Sequence, residues 1–285
     1  MPRWWLLALV VSGCAYNRLG LDVRVEESLS RVTARPSSLP RCAPVVVFFE
    51  GDGSRCQEWS PRFWRRFVTR ETGQFVFVRP VEPRNLACGT PAFAGMDFES
   101  RLVPLTALLR ELRSEAPERP LVILGQSAGA HLAMLLSNTS PELIDGVANL
   151  GGGIDSLQDV LRTLAAQGTD QDLQDFETLK ATLERNDDPG APMWQRSRAF
   201  WHQLFFTDVK PLWRAYQGPL FLAHGEQDSS SVPFSLVQAS VDATHLDRAP
   251  NVTYVTFPDL GHDLLKPEVM AAIDAWLVRS FPRCR

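Results

Sequence analysis

The chain has 285 residues, 45% hydrophobic and 22% charged, with 29 Lys and Arg against 33 Asp and Glu. That length suits one large α/β domain or two small ones, and the composition excludes a disordered, collagen-like or coiled-coil protein. A formal charge of −4 offers no broad basic surface, so no nucleic acid partner is expected. No stretch reaches the roughly 18 apolar residues that a spanning helix needs.

The first residues read as an address. Arg3 supplies a positive start, and Trp4 to Val11 is an apolar run too short to cross a bilayer. Val11-Ser12-Gly13-Cys14 resembles a bacterial lipobox, in which an aliphatic and two small residues precede the cysteine that is lipidated after cleavage. Residues 1–13 are therefore expected to be a lipoprotein signal peptide. An ordinary secretory signal with a chance cysteine is the other reading, and both export the protein. Ala15, not Asp, follows Cys14. By resemblance to lipoprotein sorting in Gram-negative bacteria, this points to the cell envelope and an outer-membrane lipid anchor. Each buried CH₂ would strengthen such an anchor by about 0.8 kcal/mol. Residues 14–40 read as a tether with early strands at Leu21–Val25 and Arg31–Ala34.

A regular pattern then begins. Val45–Phe49 is a continuous apolar run, as in a strand buried on both faces. A helix is expected at Glu58–Thr69, a strand at Phe75–Val78 and a loop over 80–97. Phe98, Leu102, Leu105, Leu109 and Leu112 recur at helical spacing. Leu121–Leu124 is a strand, Ala128 to Ser137 a short helix, and Ile144–Leu150 a strand ending in Gly151-Gly152-Gly153. Residues 154–218 break the alternation. Strand Leu220–Ala223, helix Pro233–Thr244, strand Val252–Phe257 and a final helix with Val269, Ile273 and Trp276 follow, with Pro267 in its first turn. Strands alternating with helices predict a mostly parallel sheet with helices on both faces. The core is expected at 41–150 and 219–285, with 151–218 as a helical lid insertion over the carboxyl edge.

Gly125-Gln126-Ser127-Ala128-Gly129 lies between a strand and a helix, the context that gives a G-x-S-x-G motif meaning. Gly125 and Gly129 allow the tight turn. The turn lifts the Ser127 hydroxyl above the sheet and aims the first helical N–H groups at the same spot. A plain Gly/Ser turn is the bland alternative. Here the chain resembles the α/β-hydrolase family, whose triad runs Ser, then Asp or Glu, then His. His224-Gly225-Glu226-Gln227-Asp228, before Val232-Pro233, is similar to the family's acid turn, and Leu260-Gly261-His262-Asp263 to its histidine loop. The resemblance implies Ser127 as nucleophile, His262 as general base and Asp228 as its orienting acid. Asp155 and Glu226 remain alternative acids. Asp263 is expected to shape its loop, His224 to be a buried hydrogen-bonded residue, and His131 to pack beneath the turn.

The first buried strand ends Glu50-Gly51-Asp52-Gly53. Related enzymes often carry His-Gly there, so Glu50 is a departure. The resemblance implies an oxyanion hole from the N–H of Asp52 or Gly53 together with that of Ala128. An E-G-D-G turn beside a later Arg79-Pro80 loop looks like a set of exported bacterial α/β hydrolases. The alternative is that Asp52 only shapes a turn. Strand directions pair the four remaining cysteines as Cys56–Cys88 at the carboxyl edge and Cys42–Cys284 at the opposite edge. Each bridge would contribute roughly 3–4 kcal/mol in the chain-entropy model.

Trp194, Phe200, Trp201, Phe205, Phe206, Trp213 and Tyr216 give the insertion aromatic groups that either line an apolar acyl pocket or pack it to the core. Asp170, Asp172, Asp175, Asp187 and Asp188 read as a solvated face. No cofactor and no metal are expected. The expected activity is hydrolysis of a small carboxylic ester through an acyl-enzyme. A serine peptidase or amidase on the same scaffold, and a non-catalytic envelope binding protein with a relic triad, stand as alternatives.

Overall fold

The computed structural model describes residues 13–16, 22–27, 31–51, 74–80, 97, 99–194 and 196–282. Among these, one nine-stranded sheet runs through the molecule. Its first three strands are β1 (Gly13–Tyr16), β2 (Asp22–Glu27) and β3 (Arg31–Pro36). They are followed by β4 (Val45–Phe49), β5 (Val76–Pro80), β6 (Leu121–Gln126) and β7 (Gly146–Leu150). The last two are β10 (Leu220–Gly225) and β11 (Val252–Phe257). A short separate hairpin, β8 (Pro192–Met193) and β9 (Arg196–Ser197), belongs to the insertion. The order is β1-β2-β3-β5-β4-β6-β7-β10-β11. The six strands from β5 to β11 in that order are parallel, and β1, β2 and β3 add antiparallel.

The helices are α1 (Leu102–Glu115), α2 (Ala128–Thr139), α3 (Leu157–Ala166), α4 (Asp170–Arg185), α5 (Arg198–Phe206), α6 (Lys210–Ala215), α7 (Phe234–Thr244) and α8 (Pro267–Ser280). Alternate residues of β4 feed opposite layers, as strand pleating requires. Val45, Val47 and Phe49 pack with Leu105, Leu109, Leu132 and Val237. Val46 and Phe48 pack with Ile273, Trp276 and Leu277 of α8. Burial on both faces is why β4 reads as an unbroken apolar run.

The early strands expected within 14–40, at Leu21–Val25 and Arg31–Ala34, are β2 and β3, which continue the sheet beyond β5. Strand β1 crosses the expected cleavage point between Gly13 and Cys14 and pairs only with β2. Arg79 and Pro80, read as a loop, end β5; Arg79 pairs with Val32 and Pro80 with Arg31. The expected helix at Glu58–Thr69 and most of the 80–97 loop lie outside the described residues.

From β4 the chain crosses first to β5 on one side and then to β6 on the other. The crevice between β4 and β6 is therefore a switch point, where ligands of open α/β sheets gather at the strands' carboxyl ends. The loop after β4 and the turn after β6 both open there.

Between β7 and β10 lies a helical insertion, α3 to α6. Ser156 caps α3 by accepting from the Asp159 N–H at 3.2 Å, and Thr169 with Asp172 forms a reciprocal capping box on α4. Phe176, Leu183 and Phe205 form a small core of the insertion's own. Phe200, Leu204, Val209 and Trp213 join the main core.

Candidate active site

Ser127 stands between β6 and α2 with φ 51° and ψ −125°, a backbone conformation that costs a non-glycine residue about 1–3 kcal/mol. Neighbours hold it there. Its N–H donates to the Leu150 carbonyl at 3.0 Å, and its own carbonyl accepts from Ala130 at 2.9 Å. The glycines permit the approach. A Cβ on Gly129 would fall 2.3 Å from the Phe49 carbonyl oxygen, and one on Gly125 would fall 2.5 Å from that of Gly129. Ser127 occupies the N-cap of α2, yet its hydroxyl makes no capping hydrogen bond.

Gly51, just past β4, faces this turn. A Cβ there would lie 2.8 Å from the Ser127 Cβ and 3.4 Å from its Oγ. Ala128 opens α2, so its N–H is among those a helix start leaves without an intrahelical acceptor. The other expected oxyanion donors, Asp52 and Gly53, lie outside the described residues.

Sequence reasoning did not foresee what braces this loop. Glu50 and Arg79 are both buried, and Arg79 Nε donates to Glu50 Oε1 at 2.5 Å. Buried Arg101 donates to the Glu50 carbonyl at 3.4 Å. The signal was present in Glu50 itself, a carboxylate directly after the wholly apolar run Val45–Phe49. The partner was invisible because it comes from a strand that pairs beside β4 only in the folded sheet.

The acid and the base meet on the other side. His262 Nδ1 donates to Asp228 Oδ2 at 2.7 Å. Asp228 Oδ1 also accepts from the N–H groups of Ser231 at 3.1 Å and Val232 at 3.3 Å. Burial pushes the Asp228 carboxyl up, but the His262 hydrogen bond and charge and the two N–H groups outweigh it. The net result lies below the usual carboxylate range. Gly225 makes the meeting possible, because a Cβ there would fall 2.3 Å from the carbonyls of Leu260 and Gly261. Further bonds tie the two loops, from Glu226 N–H to Phe257 at 3.0 Å and from Gln227 N–H to Leu260 at 2.9 Å.

Between Ser127 and His262 runs Gly151-Gly152. A Cβ on Gly151, at φ 62°, would lie 3.5 Å from His262 Nδ1, and one on Gly152 would lie 2.7 Å from the Ser127 carbonyl oxygen. Among the described residues no hydrogen bond joins the Ser127 hydroxyl to His262.

The other candidates have different occupations. Asp155 is buried, accepts from Ser240 Oγ at 2.5 Å and pairs with Lys210 of α6, so it pins the insertion to the core. Glu226 accepts from Thr256 Oγ1 at 2.7 Å at the surface. Asp263 holds Lys266 and the Leu265 N–H, shaping its loop. His131 is buried beneath the elbow with Nε2 3.2 Å from the Asp155 carbonyl, and burial holds its pKa below the ordinary value. Of the aspartates expected to be solvated, Asp172 serves the capping box, Asp175 accepts from Gln171 at 2.8 Å, and Asp187 pairs with Arg198.

The insertion's aromatics mostly pack it. Phe200, Phe205 and Trp213 are buried, while Trp194 is exposed and meets the edge of Trp201 at 5.3 Å. A cavity of about 610 Å³ opens behind the acid turn, lined by Gln167, Asp228, Phe234 and Gln238 among others, without Ser127.

Among the described residues no cluster of His, Cys, Asp and Glu could hold a metal ion, and no helix is long and apolar enough to cross a membrane. Cys42 is half-buried in a turn before β4. Its expected partner Cys284, and both Cys56 and Cys88, lie outside the described residues. Cys14 falls in β1.

A model of the alpha/beta hydrolase family matches residues 46–273, which takes in the elbow, the acid turn and the histidine loop. The chain belongs to the alpha/beta hydrolase family. Other hydrolases of this fold superpose on it. Est1E from Butyrivibrio proteoclasticus, solved with ferulic acid bound, does so with a TM-score of 0.61 at 13% identity, covering 91% of this chain and 96% of that one. The Pyrococcus furiosus esterase Pf2001 gives a TM-score of 0.54 at 16% identity, over 96% and 92% of the two chains. One of two fungal esterases from Rhizomucor miehei gives 0.52 at 14%, over 97% and 84%. No curated protein matches the chain in sequence.

Proposed function

We propose that this alpha/beta hydrolase cleaves carboxylic esters through an acyl-enzyme. The observation that carries the reading is the Asp228–His262 hydrogen bond at 2.7 Å, on the far side of a two-glycine turn from a strained, uncapped Ser127. In this mechanism His262 Nε2 takes the Ser127 proton as Oγ attacks the ester carbonyl. Asp228, ionised by its surroundings, holds Nδ1–H and stabilises the imidazolium. The nucleophile–base bond is one that commonly tightens only in the complex with substrate. The oxyanion is received by the Ala128 N–H and by the backbone beyond Gly51, at Asp52 or Gly53. His262 returns its proton to the leaving alcohol, then activates the water that releases the acid.

The esterases among its structural neighbours favour an ester over an amide substrate, and the bound ferulic acid is a ligand of Est1E. The insertion α3 to α6 acts as the lid in this reading, supported by its position between β7 and β10. Lipidation at Cys14 and export to the cell envelope rest on the lipobox-like segment alone, and the mass of the mature amino terminus tests them.

The deciding experiment is a panel of aryl and alkyl esters of increasing acyl length, with aminoacyl amides beside it, against wild type and Ser127→Ala. Ester turnover lost in Ser127→Ala supports the reading, and faster turnover of aminoacyl amides favours the peptidase. Absence of turnover together with no fluorophosphonate labelling of Ser127 favours a binding protein.

A further inference from the structure

We propose that His224, acting with Asn149, is a positioning residue that sets the spacing between Ser127 and His262 through the Gly152 peptide. The inference rests on the serine-hydrolase reading above. His224 lies near the end of β10, fully enclosed, and its Nε2–H donates to the Gly152 carbonyl at 2.8 Å. Asn149, at the end of β7 and equally buried, donates from Nδ2 to the same oxygen at 3.0 Å and accepts the Gly152 N–H on Oδ1 at 2.7 Å. The Gly152 residue is therefore held at both its N–H and its carbonyl by two side chains from two neighbouring strands.

What that residue touches gives the clamp its purpose. On one side the elbow presses against it, since a Cβ on Gly152 would meet the Ser127 carbonyl oxygen at 2.7 Å and Ala130 Cβ at 2.4 Å. On the other, adjoining Gly151 backs onto the histidine loop, with its Cβ position 3.4 Å from the His262 carbonyl oxygen. The turn is a spacer with no side chains of its own, so its orientation between these neighbours is set by its hydrogen bonds, those to His224 and Asn149 and that of the Gly151 N–H to the Ala223 carbonyl at 2.9 Å. A shift of the Gly152 carbonyl moves the turn against both reacting groups.

Packing alone does not explain a histidine here. The other ring nitrogen, Nδ1, is buried without a hydrogen-bond partner among the described residues, a desolvation cost that an apolar side chain would avoid. The ring is kept for its one donor. Burial lowers its pKa to about 4 despite the nearby Asp228 carboxylate, so it stays neutral with the proton on Nε2.

The test measures kcat and KM on an aryl ester, the rate of fluorophosphonate labelling at Ser127, and thermal unfolding, for wild type, His224→Leu and His224→Gln. Removing the donor lowers kcat and the labelling rate by roughly ten- to a hundredfold while KM stays near the wild-type value, the scale on which small misplacements act. His224→Gln carries an amide N–H to the same place and recovers most of kcat. Wild-type kcat in folded His224→Leu, or a Gln variant no faster than Leu, overturns the proposal. If His224→Leu does not fold, His224→Asn replaces it. Its shorter amide falls short of Gly152, so equal rates for Asn and Gln overturn the proposal and a slower Asn variant supports it. Wild type that neither hydrolyses nor labels overturns the functional reading and this inference with it. Active wild type with insensitive variants overturns this inference alone.

Discussion

Asp228 and His262 are 34 residues apart in the chain and share a 2.7 Å hydrogen bond over the carboxyl end of β10. The carboxylate is also fixed by the backbone N–H groups of Ser231 and Val232, so it cannot follow the imidazole if that ring moves. This makes Asp228 an anchor for the ring's tautomer and direction.

Replacing that anchor by its neutral isostere is therefore expected to lower kcat strongly while leaving the fold intact. Asp228→Asn should lose about 10²–10⁴-fold in kcat on any ester that wild type turns over. Steady-state kinetics at saturating substrate, with circular dichroism as the control for folding, check it.

The same carboxylate links stability to acid. Its folded pKa lies below the unfolded one, so it contributes stability that is complete above the unfolded value and is lost as pH falls through the folded value. Buried His224 acts over a higher range. Its folded pKa is about 4 against an ordinary 6.5, so the unfolded state binds more protons between those values, and stability is complete above about 6.5 and declines toward pH 4. Full expression of that shift is worth roughly 3 kcal/mol. Denaturant midpoints between pH 7.5 and 4 should fall less steeply in His224→Gln than in wild type.

Strain at Ser127 can be read by substitution. Its φ of 51° suits glycine, and alanine relieves nothing. Ser127→Gly should be more stable than Ser127→Ala by about 1 kcal/mol, both being inactive. Chemical denaturation of the two variants side by side gives the difference.

Glycines at the contact points leave no such choice. Gly129→Ala would put a methyl 2.3 Å from the Phe49 carbonyl oxygen, and a backbone atom cannot swing aside as a flexible side chain can. The expected cost is about 3 kcal/mol or more, seen as a lower melting temperature and loss of Ser127 labelling.

Glu50 and Arg79 form a buried ion pair beside the turn that carries Gly51. Removing one partner leaves the other charged and enclosed, so Arg79→Met should destabilise by about 3–5 kcal/mol. Glu50→Met with Arg79→Met should cost less than the sum of the singles, and a double-mutant cycle in urea measures the shortfall.

Much of this was legible in the linear sequence, and the reason is range. The elbow is a local device: an apolar strand, Gly125 and Gly129 two residues either side of Ser127, and a helix directly after. Its strain and exposure follow from sterics within five residues. The apolar runs 45–49 and 121–124 announce strands buried on both faces, and their alternation with helices implies a parallel sheet. The acid turn and the histidine loop, each after its own strand, carried the resemblance that implied Asp228 and His262, and these two share a hydrogen bond in the fold.

Only the tertiary structure decided which buried polar groups answer one another. Glu50 finds Arg79 because β5 pairs beside β4. Asp155 finds Lys210 and Ser240, which makes it a structural pin, because the insertion folds back on α7. His224 finds Gly152 because β7 and β10 are neighbours in the sheet. Each of these contacts joins residues from separate strands or helices, and each depends on where a carbonyl or carboxylate ends up to within a few tenths of an ångström. Hydrophobic periodicity carries no such information. It specifies which face of an element is buried, while a hydrogen bond depends on which element lies alongside.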